Sequence, residues 1–347
     1  MITVGIFGTS EDQEVQTLNT RLLNRGAETR IIDLSKFPKD LPLSITKDDI
    51  VLDGYSLFDL DVGYLRYSGA TFPHFVKYDQ EIKIVSETKM KALYSKYNRY
   101  VQAEMKLQKI RNSIVKIYSQ CRMLVNSLEK NNLHRMKTYL LYFLKNNGIP
   151  VPNFMVGTSS RDLSDFARKT IEGQKEAVVK PLAGIYKTVL WSESGLKESP
   201  AIYQHYIEGE TIRCYVLGGK LVASAVVLHE DGVDSSINQR GIRVINLPLE
   251  TVRITERTAE ILGLDFCGID LVREDETYYI IDVNISPMFV NFSLLSFIDI
   301  PAQIAEYLIE HAGEHKKDKR RHVAILKQAK EMLLNDPEIR KMISPEN

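Results

Sequence analysis

Two acids interrupt otherwise apolar stretches late in the chain, in Gly268-Ile269-Asp270-Leu271 and Ile280-Ile281-Asp282-Val283-Asn284. Burying a carboxylate in such a setting is costly unless a cation or hydrogen-bond donors compensate it. If the two stretches are strands paired through Arg273-Glu274-Asp275-Glu276, then Asp270, Asp282 and Asn284 converge at one end. Magnesium takes one or two carboxylates together with phosphate oxygens and water, which this set supplies. The same spacing also suits a hairpin whose two half-buried acids are satisfied by backbone amides.

Three further segments carry candidate chemistry. Val178-Val179-Lys180-Pro181 ends an apolar strand in a lysine, placing an ammonium where it can meet a phosphate as a point charge. Ala183-Gly184-Ile185-Tyr186-Lys187 follows, where a phosphate-covering loop could lie, although it holds a single glycine. Tyr203-Gln204-His205-Tyr206-Ile207-Glu208-Gly209-Glu210-Thr211-Ile212-Arg213 is an extended segment whose backbone could pair with an adenine edge and leave an acid for the ribose. Arg213 alternates with Ile212 and Cys214, so it points to the opposite face of its strand. Arg240-Gly241 reads as part of a polar loop and could meet a phosphate or a carboxylate. The bland readings are a strand-end lysine, an edge strand and solvated arginines. His134, His205 and His229 are too dispersed for a triad, no Gly-x-Ser-x-Gly elbow is present, and Trp191 reads as packing.

The elements that position these residues follow from periodicity. Ile2–Phe7, a helix from about Glu11 to Asn24 closed by Gly26, and a strand from Glu28 to Leu34 form a strand–helix–strand unit, so an α/β lobe with a parallel sheet is expected. Asp61–Tyr67 reads as another strand of it. From about Tyr78 to Gln120 the chain lacks Pro and Gly, and Val101, Met105, Leu107, Ile110 and Ile114 roughly follow a helical period, predicting one or two long amphipathic helices. Leu133, Met136, Leu140, Phe143 and Leu144 share a helical face closed by Gly148 and Pro150. Strands are expected at 202–207, across 212–227 with a break at Gly218-Gly219, at 266–272 and at 278–283. Helices are expected at 251–262 and 300–312, with a charged helical tail beyond.

Bulk properties bound the function. The chain has 347 residues, enough for two or three lobes, and a formal net charge of zero from 45 basic and 45 acidic residues. No global field favours nucleic acid or an anionic membrane, and no apolar run approaches the length of a membrane span. The amino terminus reads as a first strand rather than a signal peptide. Three scattered cysteines, Cys121, Cys214 and Cys267, suit a reducing cytoplasm and support neither zinc nor a thiol nucleophile.

In this order the segments resemble the ATP-grasp superfamily, and within it the RimK-type glutamate and amino-acid ligases. The resemblance runs from about Arg122 to Ala312 and rests on Val125-Asn126-Ser127, the Lys137 helix with Gly148-Ile149-Pro150-Val151-Pro152, Val179-Lys180-Pro181, Gln204-His205-Tyr206-Ile207, Gly209-Glu210-Thr211-Ile212-Arg213, Arg240-Gly241, Gly268-Ile269-Asp270 and Asp282-Val283-Asn284-Ile285-Ser286-Pro287. A weaker match covers Tyr64-Leu65-Arg66-Tyr67-Ser68-Gly69. It implies an α/β, α+β-lobed ATP-grasp fold behind a Rossmann-like domain. The implied divisions are 1–125 with a helical segment at 78–120, a small subdomain at 126–203, a large subdomain at 204–312 and a tail at 313–347. By the same resemblance Lys137 and Lys180 contact ATP phosphates, Gln204, His205, Tyr206 and Ile207 form the adenine hinge, and Glu210 is the ribose acid. Asp270, Asp282 and Asn284 bind Mg2+, with Mn2+ as a substitute. Arg240 faces the transferred phosphate, and Arg66 and Arg213 border a carboxylate acceptor. The chain departs from the family pattern at Asp282 (usually Glu), Thr211 (usually Asp), Met288 (usually Gly), His205 and the glycine-poor loop.

The expected activity is ATP-dependent joining of a carboxylate to an amine, the partners being an amino acid, a peptide or a protein terminus. No nucleic acid or membrane is expected, and a homo-oligomer is left open. A phosphotransferase on the same scaffold and a degenerate ATP-binding regulatory module are the alternatives.

Overall fold

The computed structural model describes residues 1–45, 49–68, 87–131, 133, 136–157, 159–172, 176–181, 188–191, 201–229 and 239–313. The expectations for residues 69–86, for His134, for the loop at 183–187 and for the tail beyond 313 lie outside these. The chain divides into two compact units, Met1–Leu128 with the segment from Ala305, and Glu129–Ile304.

In the first unit, β1 (Thr3–Phe7), β2 (Glu28–Ile32), β6 (Val62–Leu65) and β7 (Met123–Val125) form a wholly parallel sheet in the order β2-β1-β6-β7. A small antiparallel sheet of β3 (Leu43–Ile45), β4 (Ile50–Leu52) and β5 (Tyr55–Ser56) is inserted before β6. The first helix is Gln13–Leu23, shorter at both ends than the sequence pattern suggests. Asp12 sets its start, its Oδ1 accepting from the Glu14 and Val15 amides at 2.8 and 3.3 Å. Val15, Leu18 and Leu22 form the buried stripe, spaced as a helix face requires.

One continuous helix, Glu87–Cys121, occupies the described part of the predicted helical region. Its core face carries Ile110, Ile114, Val115, Ile117 and Tyr118, with Leu107 at the margin. Met105 is 49% exposed, contrary to the expected stripe. It stands two residues from Leu107, about 200° around the helix, and therefore cannot share that face. Tyr118 packs against Phe7 (ring centroids 5.2 Å apart) and over Gly63 of β6, where a Cβ would lie 2.6 Å from the ring.

The second unit holds two antiparallel sheets. The smaller, in the order β10-β9-β11-β8, contains β8 (Phe154–Gly157), β9 (Ala177–Pro181), β10 (Val189–Leu190) and β11 (Ala201–His205). One face of it packs on the helix Ser160–Glu172 through Leu163, Ala177, Val179, Ala201 and Tyr203, with Trp191 at the edge. The larger runs β14-β13-β12-β15-β16, from β12 (Thr211–Leu217), β13 (Lys220–His229), β14 (Gln239–Val244), β15 (Phe266–Glu274) and β16 (Thr277–Asn284). Its apolar face, including Ile212, Cys214, Val216, Ile269 and Val283, joins the helix Leu249–Leu262 in the main core. Gly263 closes that helix at φ +62°. The helix Lys137–Asn146 adds Leu140, Leu141 and Leu144 to the same core. Met136 lies just before its first turn and is 49% exposed, so it does not extend the buried face as the pattern predicted.

Cys214 and Cys267 are fully buried in this core, and burial pushes the Cys267 thiol up to about 12. Both are packing residues, as expected. No single described helix is long and apolar enough to cross a membrane.

Gly63→Ala forces a methyl against the Tyr118 ring and Leu124. The expected outcome is a loss of about 1–3 kcal/mol in chemical denaturation, and a clearly smaller further loss when the same change is made in a Tyr118→Ala chain.

Candidate active site

The larger sheet lines up three charged side chains. Arg213 of β12 is the register partner of Asp270 in β15, and Asp270 is the partner of Asp282 in β16. Arg213 forks the Asp270 carboxylate, with Nε to Oδ1 at 2.6 Å and Nη2 to Oδ2 at 2.7 Å. Their side chains are only 26% and 14% exposed, so the pair interacts in a medium well below the dielectric of water. Asp270 is accordingly the largest influence on Arg213, holding it charged against its own burial. As expected, Arg213 lies on the face away from Ile212 and Cys214. The fork itself was not readable from the sequence, because it depends on the β12–β15 register.

The expected meeting of Asp270, Asp282 and Asn284 rests on β15 and β16 pairing, and they do pair. Asp270 and Asp282 stand directly opposite, and Asn284 is two residues further on, opposite Gly268. Asn284 Oδ1 accepts from the Ser286 amide at 3.1 Å, which fixes the side chain as the strand ends. A Cβ on Gly268 would lie 3.0 Å from Pro287, so a glycine is what lets the 285–287 turn fold back over the sheet. Among the described residues there is no group of three or more His, Cys, Asp or Glu side chains that could hold a metal. A cation here would have two acids, one of them already forked by Arg213, and one amide oxygen, with its remaining ligands coming from phosphate and water. That oxygen-only set fits magnesium.

A bulge in β16 meets Lys180. Asp282 opposes Asp270 while Ile280 opposes Leu271, leaving Ile281 unmatched. The Ile281 carbonyl accepts from Lys180 Nζ, at the end of β9, at 2.9 Å. A narrow gap of about 10 Å³ is lined by Lys137, Lys180, Ile202 and Asp282 together with Leu140, Leu141 and Leu144. Two cations and an acid that are far apart in sequence are therefore neighbours in the second unit.

The 204–210 segment lies at the end of the smaller sheet. The His205 and Tyr206 amides donate to the Asn153 and Glu176 carbonyls, both at 2.8 Å. Gln204 is 1% exposed, and its Nε2 has no hydrogen-bond partner. A buried orphan donor is rare in a folded chain and suits a site that a ligand completes. Gly209 packs so tightly that a Cβ would lie 2.5 Å from the Arg273 carbonyl oxygen.

Glu210 is exposed and paired with exposed Arg243 at 2.6 Å, an interaction that solvent screens. Arg240 is the extra residue of a bulge between β13 and β14, where Leu228 opposes Gly241 and His229 opposes Gln239, and it is exposed. Arg66 belongs to the first unit. It follows β6 and binds Asp12 at 3.0 Å and Glu14 at 3.6 Å. Burial would raise the Asp12 carboxyl, but Arg66 and the helix amides hold it below its ordinary value. Burial and Asp12 together push Glu14 up.

Comparison with known proteins defines the class. The RimK-like ATP-grasp domain model matches residues 134–308, and the chain belongs to this family. A probable alpha-L-glutamate ligase of Maridesulfovibrio salexigens is 28% identical over 196 residues, spanning 52% of this chain and 65% of the relative. A protein of the same name from Methanococcoides burtonii is 30% identical over 205 residues, spanning 54% of this chain and 67% of the relative. The chain thus spans just under two thirds of the length of several of these relatives. Among solved structures, the ATP-grasp ligase PsnB complexed with a minimal precursor superposes with a TM-score of 0.75 at 20% identity, covering 90% of this chain and 99% of that one. The macrocyclase MdnC bound with its precursor peptide MdnA, from Microcystis aeruginosa, superposes at 0.70 and 16% identity, covering 89% and 100%. These two share the fold.

A double-mutant cycle of Arg213→Met and Asp270→Asn, followed by denaturation, should give a coupling of about 1.5–3 kcal/mol for the fork. Additive single effects would mean that the two side chains are not paired in solution.

Proposed function

We propose that the chain is an ATP-dependent ligase that joins a carboxylate to an amine. The observation that carries this reading is the convergence of Lys137, Lys180 and Asp282, far apart in sequence, on one narrow space beside β16. It is supported by family membership and by the orphan amide of Gln204 in the neighbouring hinge.

In this reading adenine lies against the 204–207 segment, and the two lysines hold the phosphates. A carboxylate oxygen of the substrate attacks the γ-phosphorus, the bond to the β-phosphate oxygen breaks, and ADP leaves an acyl phosphate behind. An amine then attacks the acyl carbon and phosphate departs, giving an amide. Asp270, Asp282 and Asn284 would hold magnesium, or manganese in its place, which supplies positive charge to the phosphate oxygens. Lys137, Lys180 and Arg240 add fixed positive charge as negative charge spreads over the transferred phosphoryl group. No enzyme nucleophile is required. Arg213 suits a carboxylate acceptor, and Glu210 is the acid available to the ribose.

The relatives support a substrate class. Curated relatives are named glutamate ligases, and structural neighbours bind precursor peptides, one of them together with Mg and ADP. We assign glutamate, or a similar amino acid, as one partner and an amino acid, peptide or protein terminus as the other, in a cytoplasmic setting where ATP is available.

The test is ADP release with Mg2+, ATP and mixtures of amino acids and peptides, with the products read by mass spectrometry. ADP formation should need both a carboxylate and an amine and should yield an amide. Asp282→Asn should lower the rate at least about a hundredfold, the scale of losing one transition-state charge contact, while Asp282→Glu keeps most of it. A phosphorylated product in place of an amide would make the chain a phosphotransferase, and nucleotide binding without turnover would make it a regulatory module.

A further inference from the structure

Two buried polar atoms at the end of the smaller sheet lack partners, and they are complementary. Gln204 Nε2 is a donor and Glu176 Oε1 is an acceptor, and neither has a hydrogen bond, including one to the other. Their positions follow from the register. Gln204 of β11 opposes Val178 of β9, and the next pairs are His205 with Ala177 and the Tyr206 amide bonding to the Glu176 carbonyl. Side chains alternate along a strand, so Glu176, Val178 and Lys180 project to the same face as Ile202 and Gln204. That face carries Lys180, while the opposite face is packed against the helix at 160–172.

An unpaired carboxylate oxygen and an unpaired amide N–H on one face are expensive to leave buried. They become satisfied together by a ligand edge that offers a donor beside an acceptor. Adenine has that edge, an exocyclic amino group flanked by ring nitrogens. Guanine presents a carbonyl oxygen in place of the amino group, which would set two acceptors against each other.

We propose that Glu176 and Gln204 read the nucleotide base as a pair, Glu176 accepting from the adenine amino group and Gln204 donating to the adjacent ring nitrogen. Glu176 is then a specificity-determining residue that excludes guanine. This rests on the nucleotide-binding part of the proposed function, and it adds a residue that no motif singled out. Glu176 escaped the sequence reading because it precedes the strand of Lys180 in a polar stretch, Glu172-Gly173-Gln174-Lys175-Glu176, where an acid reads as solvated.

The test is calorimetric titration of the full chain with Mg2+–ADP and Mg2+–GDP. The native chain should prefer ADP by at least about a hundredfold, the scale on which a site built for a hydrogen bond rejects its mismatch. Glu176→Gln, whose amide can turn an N–H toward a guanine oxygen, should narrow that preference by about tenfold or more. Glu176→Ala should lose ADP affinity without gaining any for GDP, and it serves if the glutamine variant does not fold. A preference unchanged in folded Glu176→Gln, or an ADP affinity unchanged in folded Glu176→Ala, would overturn the inference and leave ATP binding standing. Failure of the native chain to bind either nucleotide would overturn the nucleotide reading as well.

Discussion

The ion pair between Arg213 and Asp270 is the constraint around which the second unit is arranged. Two opposite charges on neighbouring strands, largely withdrawn from solvent, tolerate no slip in register, because a shift of one residue would turn each into the apolar core. On the other side of β15 the short turn to β16 sets Asp282 opposite Asp270 with the bulge at Ile281, and the Ile281 carbonyl meets Lys180. One cross-strand pairing thus leads to a lysine of the other sheet.

The parts of this arrangement that were legible in the sequence share a physical origin. Asp270 and Asp282 stand in apolar strands where an acid is costly, and the connection between them is short enough to force pairing, so their meeting could be read from residue type and spacing. Lys180 was visible as a charge ending an apolar strand. The helix ends at Gly148 and Gly263 were visible because only a residue free to adopt positive φ closes a helix so sharply.

What was not legible depends on contacts between elements distant in the chain. The Arg213 fork needed the β12–β15 register, and the Lys180–Ile281 bond needed a bulge that no residue type announces. Met105 and Met136 look like helix-face residues by period, yet the core meets the helix on the side set by Ile110 and Ile114 in one case, and the helix starts one residue too late in the other. Glu176 and Gln204 show the same limit at the level of single atoms. Their identities are ordinary, and only their burial without partners marks them.

The most direct measurement is pulsed EPR on Mn2+ bound to the full chain in the presence of ADP. A phosphorus hyperfine coupling on protein-bound Mn2+, with that bound population lost in Asp282→Asn, is the expected result. It would place the cation between the nucleotide phosphates and the Asp270–Asp282 pair. Mn2+ that binds equally to the native and Asp282→Asn chains, or that shows no phosphorus coupling, would contradict a nucleotide–metal site on this sheet.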